Sequence, residues 1–473
     1  MPIFDPEYLS KWSSGQWISR PVGNLNGFNI DSRKLKEGNI FVALKAERDG
    51  HDFLYAAEEN GASAGIVEEV RIDVPLPQLL VKNSLIAFHD IAHHHRMMFS
   101  GSVFSVTGSC GKTSTKDVLG LLLGFEETLC TEGNLNNHLG VPLTLLKIDD
   151  GLHKNCVIEA GINQIGEMSL LGKTISADVV IVTLIAQSHL EGLKNLETIA
   201  SEKADLFLKS DQKTKVIFPE DCLIFKEFKK YHRESENVLV LRNGVPSTEF
   251  SKKEAFYSIW TETNEIGSPL SLRLWRHGLP SISFPLPDLS KGMVRNVALA
   301  VLAACETGVS VQEISERLPQ FRPSALRGRC FQGRGRSYVL DCYNANPASM
   351  VDSIDFFRSR FSSYAKLFVL AGMDELGDDE EQLHNELGRD ISSDGNEMFL
   401  LIGEKASWIS TGLLEQGVSE KQIIVLPKLT DAVSIVEDFG GAVLFKGSRS
   451  YGLEELLPTW AVEECCDGGQ IEC

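Results

Sequence analysis

Residues 103–113 read Val-Phe-Ser-Val-Thr-Gly-Ser-Cys-Gly-Lys-Thr, an apolar, β-prone run that passes through a glycine turn into a Lys-Thr helix start. A strand, a glycine loop and a helix in that order form a phosphate cradle, and the rest of the chain has to be arranged around it. Gly108 and Gly111 let the backbone turn sharply, so that the N–H groups of the loop, Ser109 and Cys110 included, point inward. Lys112 supplies a positive charge, and the Thr113 hydroxyl can reach a magnesium ion. The following helix, 113–123, aims its positive end at the phosphates. The usual pattern has a glycine five positions before the Gly-Lys pair; Val106 stands there, so this loop is a shortened one. A plain glycine turn between strand and helix is the competing reading.

Around this stretch, from 101 to about 319, apolar runs alternate with helical patterns. Strands are expected at 103–106, 156–160, 178–185 and 215–218, and helices at 112–123 and 195–208. That alternation predicts a mainly parallel, doubly wound sheet, with ligands at the carboxyl ends of the strands. Glu159 closes one strand, His189 follows another, and Lys203 lies in the next helix. Residues 235–290 are strand-like and suggest a β insertion, and 294–304 is a small, apolar helix in which Asn296 needs a polar partner.

Residues 1–98 mix short strands (40–44, 65–67) with a helix at 52–60 and read as a small α/β domain. From 321 onward a third α/β pattern begins, with strands at 338–340, 367–371, 398–402 and 442–445 and no second phosphate loop. The expected organisation is therefore three domains, 1–98, 99–320 and 321–473, in line with about one domain per 150 residues. The loops at 341–347 and 446–449 carry Asp, Asn, Lys and Arg, which suggests a cleft closing between the second and third domains.

Composition narrows the partners. The chain carries 65 acidic against 46 basic residues, a formal charge of −19, which argues against nucleic acid. The apolar run at 179–186 is too short to span a bilayer and suits a buried strand, and residues 1–7 lack a basic stretch followed by an apolar core. No membrane insertion, a cytoplasmic location and a monomer are expected. Ten irregularly placed cysteines give no disulfide framework and fit reduced thiols. Cys465 and Cys466, in an acidic tail, read as a frayed end rather than a metal site. His93, His94 and His95 are consecutive, point three ways from a helix, and read as a solvated helix end. In the first domain the clusters Asp31-Ser32-Arg33 and Asp49-Gly50-His51 could be ligand contacts or ordinary turn and cap residues.

Six motifs together carry a specific resemblance: 107–113 (Thr-Gly-Ser-Cys-Gly-Lys-Thr), 133–142 (Gly-Asn-Leu-Asn-Asn-His-Leu-Gly-Val-Pro), 157–161 (Val-Ile-Glu-Ala-Gly), 189–191 (His-Leu-Glu), 343–347 (Tyr-Asn-Ala-Asn-Pro) and 446–449 (Lys-Gly-Ser-Arg). The chain resembles the Mur ligase family, and within it the branch that adds a dipeptide. The resemblance spans residues 31 to about 455.

The resemblance implies a fold of three α/β domains: a central doubly wound, mainly parallel sheet with a P-loop-like ATP site, a small N-terminal domain for the UDP-sugar, and a Rossmann-like C-terminal domain that closes on the nucleotide. It implies ATP-dependent amide formation between D-alanyl-D-alanine and UDP-N-acetylmuramoyl-tripeptide, through an acyl phosphate. It places Ser32, Arg33, Asp49, Gly50 and His51 at the sugar nucleotide. Asn134, Asn136, Asn137, Tyr343, Asn344 and Asn346 fall at the substrate, with Lys446 and Arg449 as further contacts. ATP would lie on 108–113 with Asn296, and Arg329 and Asp341 would reach it on closure. Lys112, His189 and Lys203 take the catalytic roles. Two magnesium ions would be served by Thr113, Glu159 and His189, although histidine is a less natural magnesium ligand than a carboxylate. Lys203 matches a carbamylated position, whereas its own helix suggests a surface lysine paired with a neighbouring carboxylate. The sequence departs from the family at Gly292 and Met293, where His-Asn is common, and at Ala371, Gly372 and Leu340. A sister ligase adding one amino acid, or a nucleotide-binding protein without catalysis, are the alternatives.

Overall fold

A computed structural model describes residues 2–210, 213–244, 256–263, 270–276, 281–391 and 395–463. The chain builds three sheets in succession. The first has the order Gln16–Trp17, Gln78–Leu80, Ala64–Val67, Ile40–Val42, Phe28–Asn29, parallel except for its first pair. Of the helix expected at 52–60, the first turn is a 3-10 turn, Gly50–Phe53, and the α-helix is Leu54–Glu59.

The second sheet has nine strands. Thr128–Cys130, Asn155–Glu159, Ser102–Thr107, Val179–Val182, Lys215–Pro219, Val238–Asn243 and Phe256–Thr263 are parallel neighbours in that order. Leu270–Arg276 and Ile282–Leu286 add antiparallel at the far edge. The strand-like segment expected as an insertion therefore widens the central sheet. The strand expected at 178–185 stops at Val182, because Leu184 and Ala186 turn aside to hold the phosphate loop. The register sets Val106 opposite Glu159 and Thr107 opposite Val182, so the loop emerges between the two strands that deliver Glu159 and His189. The helices Lys112–Leu123 and Lys291–Glu306 cover this sheet, with Val118, Leu119 and Leu122 sharing one core with Val297, Leu299 and Val301.

The third sheet runs Ile423–Leu426, Glu397–Ile402, Lys366–Ala371, Ala442–Lys446, Arg336–Asp341, Arg329–Gly333, Val462–Glu463, parallel through its first five strands. Among the described residues no helix is long and apolar enough to cross a membrane. Cys465 and Cys466 lie outside the described residues, and no disulfide joins the seven described cysteines.

The helix Ser84–Met98 fastens the first sheet to the second. Its Phe88, Ile91 and Ala92 join a core with Leu171 and Ile175, and buried Arg96 reaches Asp178 Oδ2 at 2.8 Å and the Ile175 carbonyl at 3.2 Å. Of the three histidines only His94 is exposed to solvent. His95 Nε2 lies 2.9 Å from the Ile148 carbonyl and His94 stacks on Trp12; burial pushes both His93 and His95 below the ordinary imidazole range. They share a helix whose last turns are packed against the second domain, which the local pattern does not reveal.

Candidate active site

The phosphate loop is shaped by glycines that nothing else could replace. Gly111 has φ +81 and caps the helix Lys112–Leu123; a Cβ there would come 2.5 Å from the Asn296 amide. A Cβ on Gly108, φ +148, would collide with Thr183 Oγ1. Ser109 ties the loop to the neighbouring strand, its N–H donating to the Leu184 carbonyl at 2.8 Å and its hydroxyl to the Ala186 carbonyl at 2.6 Å. Thr183 donates to the Cys110 carbonyl. Lys112 Nζ donates back to the Gly108 carbonyl at 2.8 Å, and burial holds its pKa below the usual lysine range. Val106, where a longer loop would have glycine, is a fully buried strand residue, which is why the loop starts one turn later.

Glu159 sits beside this loop, 2 % exposed. One carboxylate oxygen accepts from Asn136 Nδ2 at 2.8 Å, while Oε2 is buried with no hydrogen-bond partner among the described residues. Lys203 is fully buried, and its Nζ is equally unpartnered among them. Burial drives its pKa well below the lysine range, and the nearby Lys112 charge adds to that. The surface lysine suggested by its own helix is thus corrected: the side chain is fully buried. His189, φ +52, caps the short helix Leu190–Leu193, and its Nδ1 meets Glu375 Oε2 from the third sheet. The histidine beside Glu375 holds that carboxyl below the ordinary carboxylate range.

Across the cleft, Lys446 is buried and reaches Asp341 Oδ2 at 2.9 Å and the Asn344 carbonyl at 3.0 Å. Ser353 donates to the same Asp341 carboxylate. Arg327 lies 3.9 Å above the Tyr343 ring, and Asn346 caps the helix Pro347–Arg360 through Ser349 N at 2.9 Å. Arg329 donates to the Pro323 carbonyl at 2.8 Å and pairs with Glu463 at 3.1 Å.

These groups line one cavity of about 2420 Å³ between the second and third sheets. It gathers residues 109–113, Asn134, Asn136, Asn137, Glu159, His189 and Asn296 with Arg329, Asp341, Tyr343, Asn344, Asn346 and Lys446. Lys203 is outside its lining, as is Arg449, which is exposed and paired with Glu454. Ser32, Arg33, Asp49, Gly50 and His51 lie apart on the first sheet. There Arg33 pairs with Asp31 at 2.9 Å and lowers its pKa to about 2. The buried His51 ring is engaged at both nitrogens, by Asp49 Oδ1 at 2.6 Å and by the Glu68 N–H at 2.8 Å, which ties the 49–51 turn to the end of the strand Ala64–Val67.

Two departures from the family pattern acquire a physical reason. A Cβ at Gly292 would sit 2.6 Å from Asp352 Oδ2; glycine there lets Asp352 accept from Gly292 N at 2.9 Å and from the Ser290 hydroxyl at 2.7 Å. A Cβ at Gly372 would collide with the Tyr451 hydroxyl. Neither Asp352 nor Glu375 is singled out by the sequence motifs.

Residues 106–304 match the Mur ligase middle domain and residues 327–449 the glutamate ligase domain of Mur ligases. The UDP-N-acetylmuramoyl-tripeptide–D-alanyl-D-alanine ligase of Bacillus subtilis (strain 168) is 30% identical over 448 residues, 92% of each chain. The ligase of that name from Escherichia coli (strain K12) is 31% identical over 447 residues, 92% of this chain and 93% of its own. A crystal structure of MurF from Acinetobacter baumannii superposes with a TM-score of 0.84 at 26% identity, covering 96% of this chain and 98% of that one. The MurF ligase of Thermotoga maritima in complex with ADP gives 0.76 at 25% identity, over 92% and 96%. On motifs, domain matches and full-length relatives alike, the chain belongs to the Mur ligase family.

Proposed function

We propose that this chain is the ATP-dependent ligase that joins D-alanyl-D-alanine to UDP-N-acetylmuramoyl-tripeptide, completing the peptide of the peptidoglycan precursor needed for the cell wall, cell shape and division. The observation that carries the reading is the cavity in which a phosphate loop and an unsatisfied buried carboxylate, Glu159, face the Asp341–Lys446 pair. Curated relatives of that name match along nine-tenths of the chain.

A carboxylate is a poor electrophile, because its charge repels an incoming amine. Transfer of the ATP γ-phosphoryl group to the terminal carboxylate of the tripeptide gives an acyl phosphate and ADP. The dipeptide amine then attacks the acyl carbon; the C–N bond forms, the C–O bond to phosphate breaks, and phosphate carries away the electron pair. Charge gathers between anions in both steps, so aligned donors matter more than a protein nucleophile. The N–H groups of residues 110–113 and Lys112 would supply them at the phosphates, the Ser109 N–H being taken by the Leu184 carbonyl, with Asn296 packed against the loop.

Magnesium fits this donor set. The free Glu159 oxygen, the Thr113 hydroxyl and His189 would hold it, substrate oxygens completing the shell; among the described residues no cluster of three or more acidic, His or Cys side chains does so alone. Two ions, when bound, would neutralise charge on the transferring group. Burial lowers the Lys203 pKa and so favours the neutral amine, the form that reacts with carbon dioxide, and a carbamate there would turn a repelled cation into an anion beside the metals. In this reading residues 1–98 hold the UDP-sugar, 99–320 the ATP, and 321–473 the dipeptide, in a cytoplasmic monomer. The UDP-sugar contacts would come from Ser32, Arg33 and the 49–51 turn, with Arg329, Arg449 and the asparagines of 134–137 and 344–346 as further ligand contacts.

Purified protein should release ADP when given ATP, the tripeptide precursor and D-alanyl-D-alanine, and should need both acceptor and dipeptide. Turnover with a single amino acid in place of the dipeptide would overturn the assignment.

A further inference from the structure

On the wall that the third sheet gives the cavity, the main chain enters the left-handed region twice within three residues, at Leu326 (φ +63) and Gly328 (φ +87). Glycine does so freely, but a leucine there is held against its preference, and such strain concentrates at working sites. What holds it is visible. The Leu326 carbonyl accepts from the Tyr343 N–H at 3.1 Å, the Arg327 N–H donates to the Ser324 carbonyl at 3.2 Å, and the Gly328 N–H to the Leu340 carbonyl at 2.9 Å. Arg327 is pinned between the two strained positions, and the same bonds fix the backbone that carries the Tyr343 ring.

The Arg327 guanidinium lies 3.9 Å above that ring. Stacked on an aromatic face, a guanidinium keeps its N–H donors in its own plane, and this planar fork matches phosphate oxygens. Neighbouring cations are committed to acids: Arg329 to Glu463, Lys446 to Asp341 and Arg360 to Asp288. No carboxylate pairs with Arg327 among the described residues. Arg327 and Lys112 line the same cavity, one beside the third sheet and the other in the phosphate loop. Burial is the main cause that lowers the Lys112 pKa, and the Arg327 charge adds to it, so the two cations feel each other. An anion of several charges placed between them turns that repulsion into attraction on both sides.

Resting on the ligase reading above, we propose that Arg327 is a catalytic residue: stacked on Tyr343, it donates to the γ-phosphoryl oxygens of ATP from the side opposite Lys112 and stabilises the charge on that group as it passes to the acceptor carboxylate. Tyr343 is the positioning residue that aims it. ADP lacks the group that Arg327 contacts, so the arginine tells the triphosphate from the diphosphate.

The test compares Arg327→Met, Arg327→Lys and Tyr343→Ala with the wild type. Calorimetry measures the binding of β,γ-imido-ATP and of ADP, each with magnesium. Arg327→Met should weaken imido-ATP about tenfold and leave ADP within about twofold. Arg327→Lys, which keeps the charge without the fork, should lose less, and Tyr343→Ala should weaken imido-ATP while sparing ADP. In turnover, kcat of Arg327→Met should fall about 10²- to 10³-fold. Retained ADP binding shows that the fold is kept. Equal weakening of both nucleotides in Arg327→Met and Arg327→Lys, or imido-ATP binding unchanged in Arg327→Met, overturns the proposal. These titrations contain neither the tripeptide precursor nor the dipeptide, so they decide on Arg327 by themselves. A wild type that does not join those two substrates defeats the ligase reading instead.

Discussion

The Asp352 carboxylate of the third domain accepts from the backbone N–H of Gly292 at 2.9 Å, and so caps the helix Lys291–Glu306 of the central domain. Arg360, about two turns further along the same helix, pairs with Asp288 across the same boundary. A carboxylate at a helix N-terminus is favourable both as a hydrogen-bond acceptor and against the helix dipole. Asp352→Ala should therefore move the balance between closed and open domains toward open by about tenfold, roughly 1.4 kcal/mol. Gly292→Ala should do the same by steric exclusion, since its Cβ would lie 2.6 Å from Asp352 Oδ2. Small-angle scattering should show a larger radius of gyration in both variants; an unchanged value in both would refute the latch.

Lys112 is the cation built into the phosphate loop, and its Nζ donates to the Gly108 carbonyl. Lys112→Ala should reduce kcat by about 10²- to 10³-fold, as for other single donors at a transferring group. The ADP-release assay measures it, with circular dichroism checking that the fold is kept.

Lys203 is fully buried and burial moves its pKa well below the lysine range, which favours the neutral amine that carbamate formation needs. Protein equilibrated with 13C-bicarbonate should show a carbamate resonance that is absent from Lys203→Ala, and that variant should lose turnover by orders of magnitude. A wild type with full activity and no such resonance would contradict the assignment.

His89 is 2 % exposed, with Nδ1 2.7 Å from Thr174 Oγ1 and Nε2 2.8 Å from the His138 carbonyl. Burial is the main cause that lowers its pKa from 6.5 to about 4. Between those values the unfolded chain binds the proton and the folded one does not, so stability falls as pH drops through this window and levels off below about 4. The full penalty is about 3 kcal/mol. Denaturant titrations of wild type and His89→Gln should diverge in slope against pH across that window and run parallel above it.

Much of this was legible in the chain because it is local. The phosphate loop announces itself by glycine spacing, and strand–helix alternation gives the central sheet; Glu159, His189 and Lys203 fall where carboxyl ends of parallel strands put ligands. What was not legible depends on segments far apart in sequence. Lys203 looks like a surface residue on its own helix, and Asp352 and Glu375 look like ordinary acidic residues until the third domain is set against the second. Gly292 reads as a departure from a pattern, yet it is the space that Asp352 occupies. The three histidines mislead for the same reason, since periodicity says where a side chain points but not what waits there.

Val106 pairs with Glu159 on one side and Ile181 on the other, in unbroken parallel register. Adjacent strands stand about 4.8 Å apart, and a slip of one residue would turn Glu159 to the opposite face. The spacing between phosphate loop and acid is therefore gauged by main-chain hydrogen bonds, independent of any rotamer. A family built this way can exchange its acceptor amine or its sugar nucleotide by remodelling the flanking sheets, while the phosphoryl-donor end stays fixed to the same ruler.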